Sequence, residues 1–520
     1  MADTPSTAEA ATSAAVEAIR TRIREGGRPE RRAELQARGN WLVRDRLKYL
    51  LDPGFEIEDW ILARCEDPSL PADAVVTTVG AINGRRVCVM ASDMSVKAGT
   101  WGVKTVLKIQ RIQEVALEYR MPIVYLVDSG GARIDEQYGL YLDRSHSGRI
   151  FWNMARMNGV VPQVCINFGP SPAGAAYLPA FCDLVVMIDG RTSVFLGSPR
   201  QAAAATGEKV TAEEMGGARM HCAVSGLGDV LVASEAEALD AAKRYLSYLP
   251  DSWQDEPADV AAVAPASDRD PDAIIPANER RAFNMRALID ALIDGGSFFE
   301  MKKEYAGELI TGFARIGGVA VGIMADQPMV RGGILMQDSS EKGAQFVSTC
   351  SAFNVPMVFL MDVPGFMISS QCERAAIVRR GQKLLQAVAE ATQTRICVIV
   401  RKGYGAGYMA LSGATFQPDC TIALPQAKLG LMGPGAAIQA IYGRKIEDMA
   451  ADEKGQFVAQ KQEEYSKGLG VWGPASEMYI DDIVPGRELR QQLIMRLEIY
   501  RRRHRNRQPL AVRHNHIMRG

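Results

Sequence analysis

Two hydrophobic rhythms alternate along the chain. Short, unbroken, β-rich apolar runs at Ile123 to Val127, Val164 to Phe168 and Met357 to Met361 predict buried strands. The first and third end in an aspartate followed by a glycine-bearing turn. Between them the spacing becomes helical. Val103, Val106, Leu107, Ile109, Ile112, Val115 and Ala116 form an apolar face, and Lys104, Lys108, Arg111 and Glu114 are interleaved as its polar side. Arg374 to Glu390 carries a similar pattern. A further helix is expected from Ser234, with Glu237 three residues on to complete a capping box. Strands alternating with helices predict an α/β fold.

The pattern occurs twice. Tyr119 to Gly131 (YRMPIVYLVDSGG) matches Phe353 to Gly365 (FNVPMVFLMDVPG), 234 residues further on, and Val76 to Asp93 matches Ile310 to Gln327 at the same offset. Val164-Cys-Ile-Asn-Phe-Gly matches Val398-Ile-Val-Arg-Lys-Gly, and Ala173-Gly174 matches Ala406-Gly407 at an offset of 233. Phe195 to Pro199 then matches Gly430 to Pro434. Four matches in one order predict two homologous domains in tandem. The stretch Asp251 to Pro276, rich in Asp and Pro, is expected to link them.

Composition narrows the function. At 520 residues, 47% hydrophobic and 23% charged, the chain can bury large cores without disulfides. Lys and Arg total 60 against 61 Asp and Glu, so no basic excess is available for a nucleic-acid backbone. The basic run Arg501 to Arg507 therefore reads as a solvated helix end. Nine scattered cysteines without a CxxC pair, and only five histidines, suit a reducing compartment and argue against a metal centre. No apolar run approaches the roughly 18 residues of a membrane span. The first 25 residues lack signal-peptide order, so a cytoplasmic location is expected.

The candidate chemistry sits in the turns. Gly169-Pro-Ser-Pro-Ala-Gly174-Ala-Ala-Tyr177 and Arg401-Lys-Gly-Tyr-Gly-Ala-Gly407-Tyr-Met409 are small-residue turns where a strand gives way to a helix. Such turns either tighten packing or present free helix N-terminal amides to an oxyanion. Their appearance in both halves favours the second reading. Asp128-Ser-Gly-Gly-Ala-Arg133 and Val363-Pro-Gly-Phe-Met367 form another pair of post-strand turns. GxGxxG, Walker A and GxSxG motifs are absent. His146 reads as structural.

The motifs SGGAR (Ser129 to Arg133), ATGEKVTAEEMGGA (Ala205 to Ala218), VPGF (Val363 to Phe366) and YGAGY (Tyr404 to Tyr408) resemble the crotonase-type carboxyltransferase subunit of biotin-dependent acyl-CoA carboxylases. The resemblance runs from about Arg44 to about Arg490. Asp143-Arg, His146, Gly148 to Phe151, Asn153 and His221-Cys222 are similar to the methylcrotonyl-CoA carboxylase β-subunit. Val363-Pro364 is closer to the propionyl-CoA type, and Ala98-Gly-Thr100 stands where Gly-Gly-Thr is common.

The resemblance implies two tandem crotonase-like domains. Residues 1–40 would be a helical or flexible lead, 41–250 the acyl-CoA domain, 251–276 the linker, 277–510 the carboxybiotin domain and 511–520 a tail. Carboxybiotin would come in trans from a biotinylated α-subunit carrying biotin carboxylase and biotin carboxyl carrier, because this chain has no Met-Lys-Met motif. In such enzymes the carboxyl group passes to an acyl-CoA enolate, so both partners develop an oxyanion. Ala173 and Gly174 N–H would hold the thioester oxygen, and Ala406 and Gly407 N–H the biotin ureido oxygen. Gly130, Gly131 and Ala132 would line the CoA side. Pro364, Gly365, Phe366, Tyr404 and Met409 would line the biotin side. Coenzyme A enters as part of the substrate, and no metal, nucleic acid or membrane is implied. The N-half of one copy would face the C-half of another, within a hexamer built as a trimer of dimers. Three alternatives remain: a biotin-dependent acyl-CoA decarboxylase subunit, another crotonase-like hydratase or hydrolase, and a silent CoA-binding scaffold. A hydratase or hydrolase should place Glu or Asp in the first turn, and Gly169 to Tyr177 has none.

Overall fold

The computed structural model describes residues 12–54, 56–279, 281–502 and 517. The chain divides into two compact units. Residues up to 247 with 251–255 form the first, and 248–250 with 256 onward form the second.

The first unit is built on a six-stranded sheet. Its strands are β1 (Val75–Ile82), β2 (Arg85–Ser92), β3 (Ile123–Val127), β4 (Gln163–Asn167), β6 (Leu184–Ile188) and β8 (Val230–Val232), in that spatial order. Between the later strands, β5 (Pro170–Pro172) and β7 (Ser193–Phe195) form a separate parallel pair. β1 and β2 are an antiparallel hairpin whose two-residue turn, Asn83-Gly84, takes the left-handed conformation at both positions. The remaining neighbours in the sheet are parallel. All of β3, β4 and β6 is buried, which is why those stretches read as unbroken apolar runs. The helix Val103–Tyr119 joins β2 to β3 and packs on Gly148–Met157.

The second unit repeats the plan. Its strands are β9 (Phe299–Met301), β10 (Leu309–Ile316), β11 (Val319–Asp326), β12 (Met357–Val363), β13 (Arg395–Tyr404), β14 (Cys420–Ala423), β15 (Lys428–Gly430) and β16 (Asp482–Ile483). Seven of them run β16-β14-β13-β12-β11-β10-β9, and β15 pairs with β13. The hairpin β10–β11, the crossover helix Gln337–Ala352 and the parallel strands β12 to β14 follow the order found in the first unit. Each sheet has its own apolar core.

Several expectations change in detail. Arg374 to Glu390 is not one helix: Ser370–Arg374 ends, and Ile377–Glu390 begins after Ala376, whose φ of +62° breaks the helical path. At Ser234 the hydroxyl accepts Glu237 N–H as expected, but the Glu237 carboxylate reaches Ala233 N–H instead of that of Ser234. Lys108, assigned to a polar face, is buried. The run after Asp255 lies along the second unit. Val260 N–H donates to Gly318 O, Gly295 N–H to Ala264 O, and Asp259 pairs with Arg501. The rest of the basic run, Arg502 excepted, lies outside the described residues, as do residues 1–11 and most of 511–520. Helices Ser13–Glu25 and Pro29–Ala37 occupy the described part of 1–40. Among the described residues no helix is long and apolar enough to cross a membrane.

Candidate active site

In the first unit, β3 delivers the chain into the turn Asp128 to Arg133. Asp128 is buried and pairs with Arg46, which also holds Glu235 through two bonds. Burial pushes the Asp128 carboxyl up, and Arg46 opposes that shift. Ser129 anchors the turn: its hydroxyl donates to Gly99 O and accepts Gly131 N–H. Gly130 N–H donates to Ala98 O. Gly131 has a φ of +99°, the conformation for which glycine is suited. Trp101 N–H then donates to Gly131 O, and Arg133 N–H to Trp101 O, at 2.8 and 2.9 Å. Ala132 is thus fixed on both sides. Its own N–H, pointing away from Trp101 in this parallel bridge, has no acceptor among the described residues.

β4 and β5 lead to the second element. A short 3-10 helix, Ala173–Ala176, opens on Ala173 with a φ of +53° and passes into Tyr177–Phe181. The amides of Ala173 and Gly174 come too early in the helix to have an acceptor within it, and no other described group accepts from them. Gly131, Ala132, Ala173 and Gly174 line one cavity of about 640 Å³. Gly130 does not reach it.

The cavity wall is mostly apolar, with Trp101, Leu140, Phe151 and Tyr177 joined by Ile134, Tyr138, Tyr141 and Leu142. Phe151 and Tyr177 fall within motifs read from the sequence; the other six are absent from the sequence expectations. Their signal was the run Tyr138-Gly-Leu-Tyr-Leu142, apolar but without a strand or helix period. The charged side chain in the wall is Arg133, and Asp73 and Glu136 engage its guanidinium.

The second unit carries the same parts. Gly365 has a φ of +128°, Leu335 N–H donates to Gly365 O, and Met367 N–H donates to Leu335 O, matching Gly131, Trp101 and Arg133 at an offset of 234. Beyond this point the offset shortens. Ile123 pairs with Gln163 in the first unit and Met357 with Arg395 in the second, so β13 follows β4 at 232. The helix Gly405–Ala410 opens on Gly405, whose φ is +56°.

Ala173 therefore corresponds to Gly405, and Gly174 to Ala406. Matching by residue identity had paired Ala173-Gly174 with Ala406-Gly407, one step too far. Ala406 is exposed, as Gly174 is, whereas Gly407 is buried. A Cβ on Gly407 would stand 2.7 Å from Val363 Cγ2 and 3.2 Å from Gly365 Cα, so this glycine lets the helix close onto β12. Gly405, Ala406 and Met409 line a second cavity of about 590 Å³ with Tyr408, Leu431 and Met478. Pro364, Gly365, Phe366, Tyr404 and Gly407 are outside that lining. The Tyr404 ring lies against Gly433, where an added Cβ would meet it at 3.2 Å.

The histidines have structural partners. His146 Nδ1 accepts Asp143 N–H, and His221 sits between Val194 O and the Ser225 hydroxyl. Burial lowers the His221 pKa. Among the described residues no cluster of His, Cys, Asp and Glu could hold a metal ion.

Residues 34–516 match the carboxyl transferase domain family. An uncharacterized carboxylase of Bacillus subtilis is 48% identical over 480 residues, covering 92% of this chain and 94% of that protein. The methylcrotonoyl-CoA carboxylase β chain of Dictyostelium discoideum is 35% identical over 456 residues, covering 86% and 76% respectively. The solved structure of the transcarboxylase 12S hexamer with methylmalonyl-coenzyme A and methylmalonic acid bound superposes with a TM-score of 0.89 at 34% identity, covering 98% of this chain and 99% of that one.

Proposed function

Because the chain belongs to the carboxyl transferase domain family, we propose that its two turn-and-helix sites divide one carboxyl transfer between them. The protein is a biotin-dependent acyl-CoA carboxyltransferase β-subunit with two tandem crotonase-like domains. In our reading the first unit takes the acyl-CoA and the second takes carboxybiotin. Carboxybiotin arrives on a biotinylated α-subunit and supplies the carboxyl group. The assembly is a hexamer, as in the 12S relative.

The observation that carries this reading is the pairing of free amides in each unit. Ala132, Ala173 and Gly174, whose N–H groups have no acceptor among the described residues, line one apolar cavity, and none of the described residues lining it is acidic. A thioester oxygen placed there gains charge as the acyl group becomes an enolate, and fixed amides in a dry site stabilise that charge without reorganising. In the second unit the amides of Gly405, Ala406 and Gly407 open the helix and have no acceptor among the described residues, and Ala406 with its neighbours would do the same for the ureido oxygen. Such sites require few catalytic side chains, which agrees with the structural roles of both histidines.

The finer assignment is a branched, uncharged acyl group of the 3-methylcrotonyl type. Arg133, the one cationic side chain among the described residues lining the first cavity, is committed to Asp73 and Glu136 and so is not offered to a second carboxylate. Trp101, Phe151, Leu140 and Tyr177 offer hydrocarbon contact instead. The test mixes the chain with a biotinylated carboxylase subunit, ATP and bicarbonate, and follows carboxylation of acetyl-, propionyl- and 3-methylcrotonyl-CoA. We expect no activity without the partner and the highest kcat/KM on 3-methylcrotonyl-CoA. Preference for propionyl-CoA would replace the finer assignment, and carboxylation by the chain alone would overturn the need for a biotinylated subunit.

A further inference from the structure

Lys108 stands on the helix Val103–Tyr119 where the sequence places a polar face, yet its side chain is 1% exposed. Its ammonium donates to Ala72 O at 3.1 Å and Val75 O at 2.6 Å. Lys342, 234 residues on, repeats this on the helix Gln337–Ala352, donating to the carbonyls of Lys302, Tyr305 and Ala306. Burying an ammonium is costly. For Lys108, burial brings the pKa down to about 8, with Glu58 and Asp73 drawing it up and Arg44 lowering it.

What Lys108 holds is unusual. Ala72, Asp73 and Ala74 have φ of +49°, +53° and +64°, three successive side-chain-bearing residues in the left-handed region. Each is a strained conformation for a residue with a Cβ, so the loop persists only where its surroundings enforce it. The two carbonyls taken by Lys108 lie on either side of Asp73 and Ala74. Asp73, fully buried, accepts Thr105 N–H at 2.6 Å through Oδ2 and Arg133 Nη1 at 2.5 Å through Oδ1. Arg133 is the residue whose backbone fixes Ala132 against Trp101. The second unit lacks this arm, because Gly307 and Met367 occupy the places of Asp73 and Arg133 at the same offset.

We propose that Lys108 is a positioning residue for the acyl-CoA turn: by gripping Ala72 and Val75 it holds the left-handed loop that aims Asp73 at Arg133, and so fixes the Ala132 amide. The inference rests on the reading of the first cavity as the acyl-CoA site.

The experiment uses Lys108→Met, Asp73→Asn and the double variant, each assembled with the biotinylated partner. Each single variant should lower kcat for acyl-CoA carboxylation by roughly 10- to 100-fold, the cost of a misplaced donor, with little change in KM. Carboxybiotin turnover without acyl-CoA should be retained. Because Lys108 acts through Asp73, the double variant should be no slower than Asp73→Asn alone. A double variant showing the product of the single losses overturns the proposal. So does Asp73→Asn with the wild-type kcat, a result that decides the matter even if Lys108→Met does not fold. Hydrogen exchange separates this inference from the functional reading. Asp73→Asn should raise exchange over residues 129–136 roughly tenfold and leave β4 unchanged, whether or not an acyl-CoA is carboxylated. Wild-type protein that carboxylates none of the three acyl-CoAs would count against the functional reading. Unchanged exchange over 129–136 would count against the proposed role of Lys108.

Discussion

Ala173 and Gly405 hold the same place in the two units: each opens the helix behind a buried strand, with φ of +53° and +56°. An alanine serves in one unit where a glycine serves in the other. A left-handed conformation costs an L side chain roughly 1–2 kcal/mol, so the first unit maintains a strain that the second avoids. Gly405→Ala should therefore keep its turnover while losing about that much stability. An added Cβ meets Leu431 O at 3.1 Å, a contact that a small adjustment relieves. Gly405→Val should do worse on both counts, since β-branching disfavours positive φ. Thermal unfolding and steady-state turnover measure the two effects. A Gly405→Ala variant slowed by roughly 10²–10³-fold, the range for a lost oxyanion donor, would show that the left-handed residue tolerates no side chain during the reaction.

Gly407 and Gly174 should respond differently to the same substitution. A Cβ on Gly174 would meet Phe151 Cζ at 3.9 Å, an ordinary contact. On Gly407 it would fall 2.7 Å from Val363 Cγ2. Gly407→Ala is expected to destabilise by about 1–3 kcal/mol, as overpacked cores do. Val363→Ala in the same chain should restore part of that loss, whereas Gly174→Ala should leave Tm nearly unchanged. Equal Tm losses in the two alanine variants would contradict the packing role of Gly407.

These two comparisons show where the sequence was readable. The strand, turn and helix of each unit were legible because apolar runs such as Ile123 to Val127 are buried on both faces and end in glycine. The fine register was not. Between β12 and β13 the second unit is two residues shorter than the first between β3 and β4, and matching small residues by identity absorbed only one of them. The cavity wall at Tyr138 to Leu142 was hidden because its helix, Gln137–Tyr141, is little more than one turn long, too short for a period to show. The loop at Ala72 to Ala74 was hidden because left-handed backbone is signalled by glycine, and none is present. Lys108 was misassigned because helical periodicity identifies a face and does not reveal that backbone carbonyls lie across from it.

Lys342 offers a pH test of buried charge. Burial lowers its pKa to about 7, with Glu300 and Glu308 raising it and Lys302 and Arg286 lowering it. In the unfolded chain it titrates near 10.4. Between these values the unfolded chain binds more protons, so this group's contribution to stability rises with pH across that window. Below about 7 the lysine is charged in both states, and the folded protein carries the full cost of burying it. Lys342→Met has no such group. Its stability relative to wild type should be highest near pH 6 and fall by about 1 kcal/mol per pH unit between 7 and 10. Urea unfolding at several pH values measures this. A difference independent of pH would mean that Lys342 keeps its ordinary affinity for a proton.

Met409 is the remaining question of specificity. It is 37% exposed, two residues past Gly407, and lines the second cavity with Leu431 and Met478. In a paired assembly, the acyl group held by one copy would face the Met409 of the other. Methionine is unbranched and adaptable, and it can follow the outline of a branched chain. A carboxylate there, desolvated beside hydrocarbon, would be unfavourable, increasingly so as the chain grows. A methylene-sized difference in such a pocket is worth about 1–3 kcal/mol, or roughly 10–200-fold in kcat/KM. Met409→Asp should therefore lose most on 3-methylcrotonyl-CoA, less on propionyl-CoA and least on acetyl-CoA, with the order read from kcat/KM. A uniform loss would assign Met409 to packing of the helix Gly405–Ala410, and no loss would place the acyl chain elsewhere. Only a graded loss makes Met409 a residue that reads acyl size.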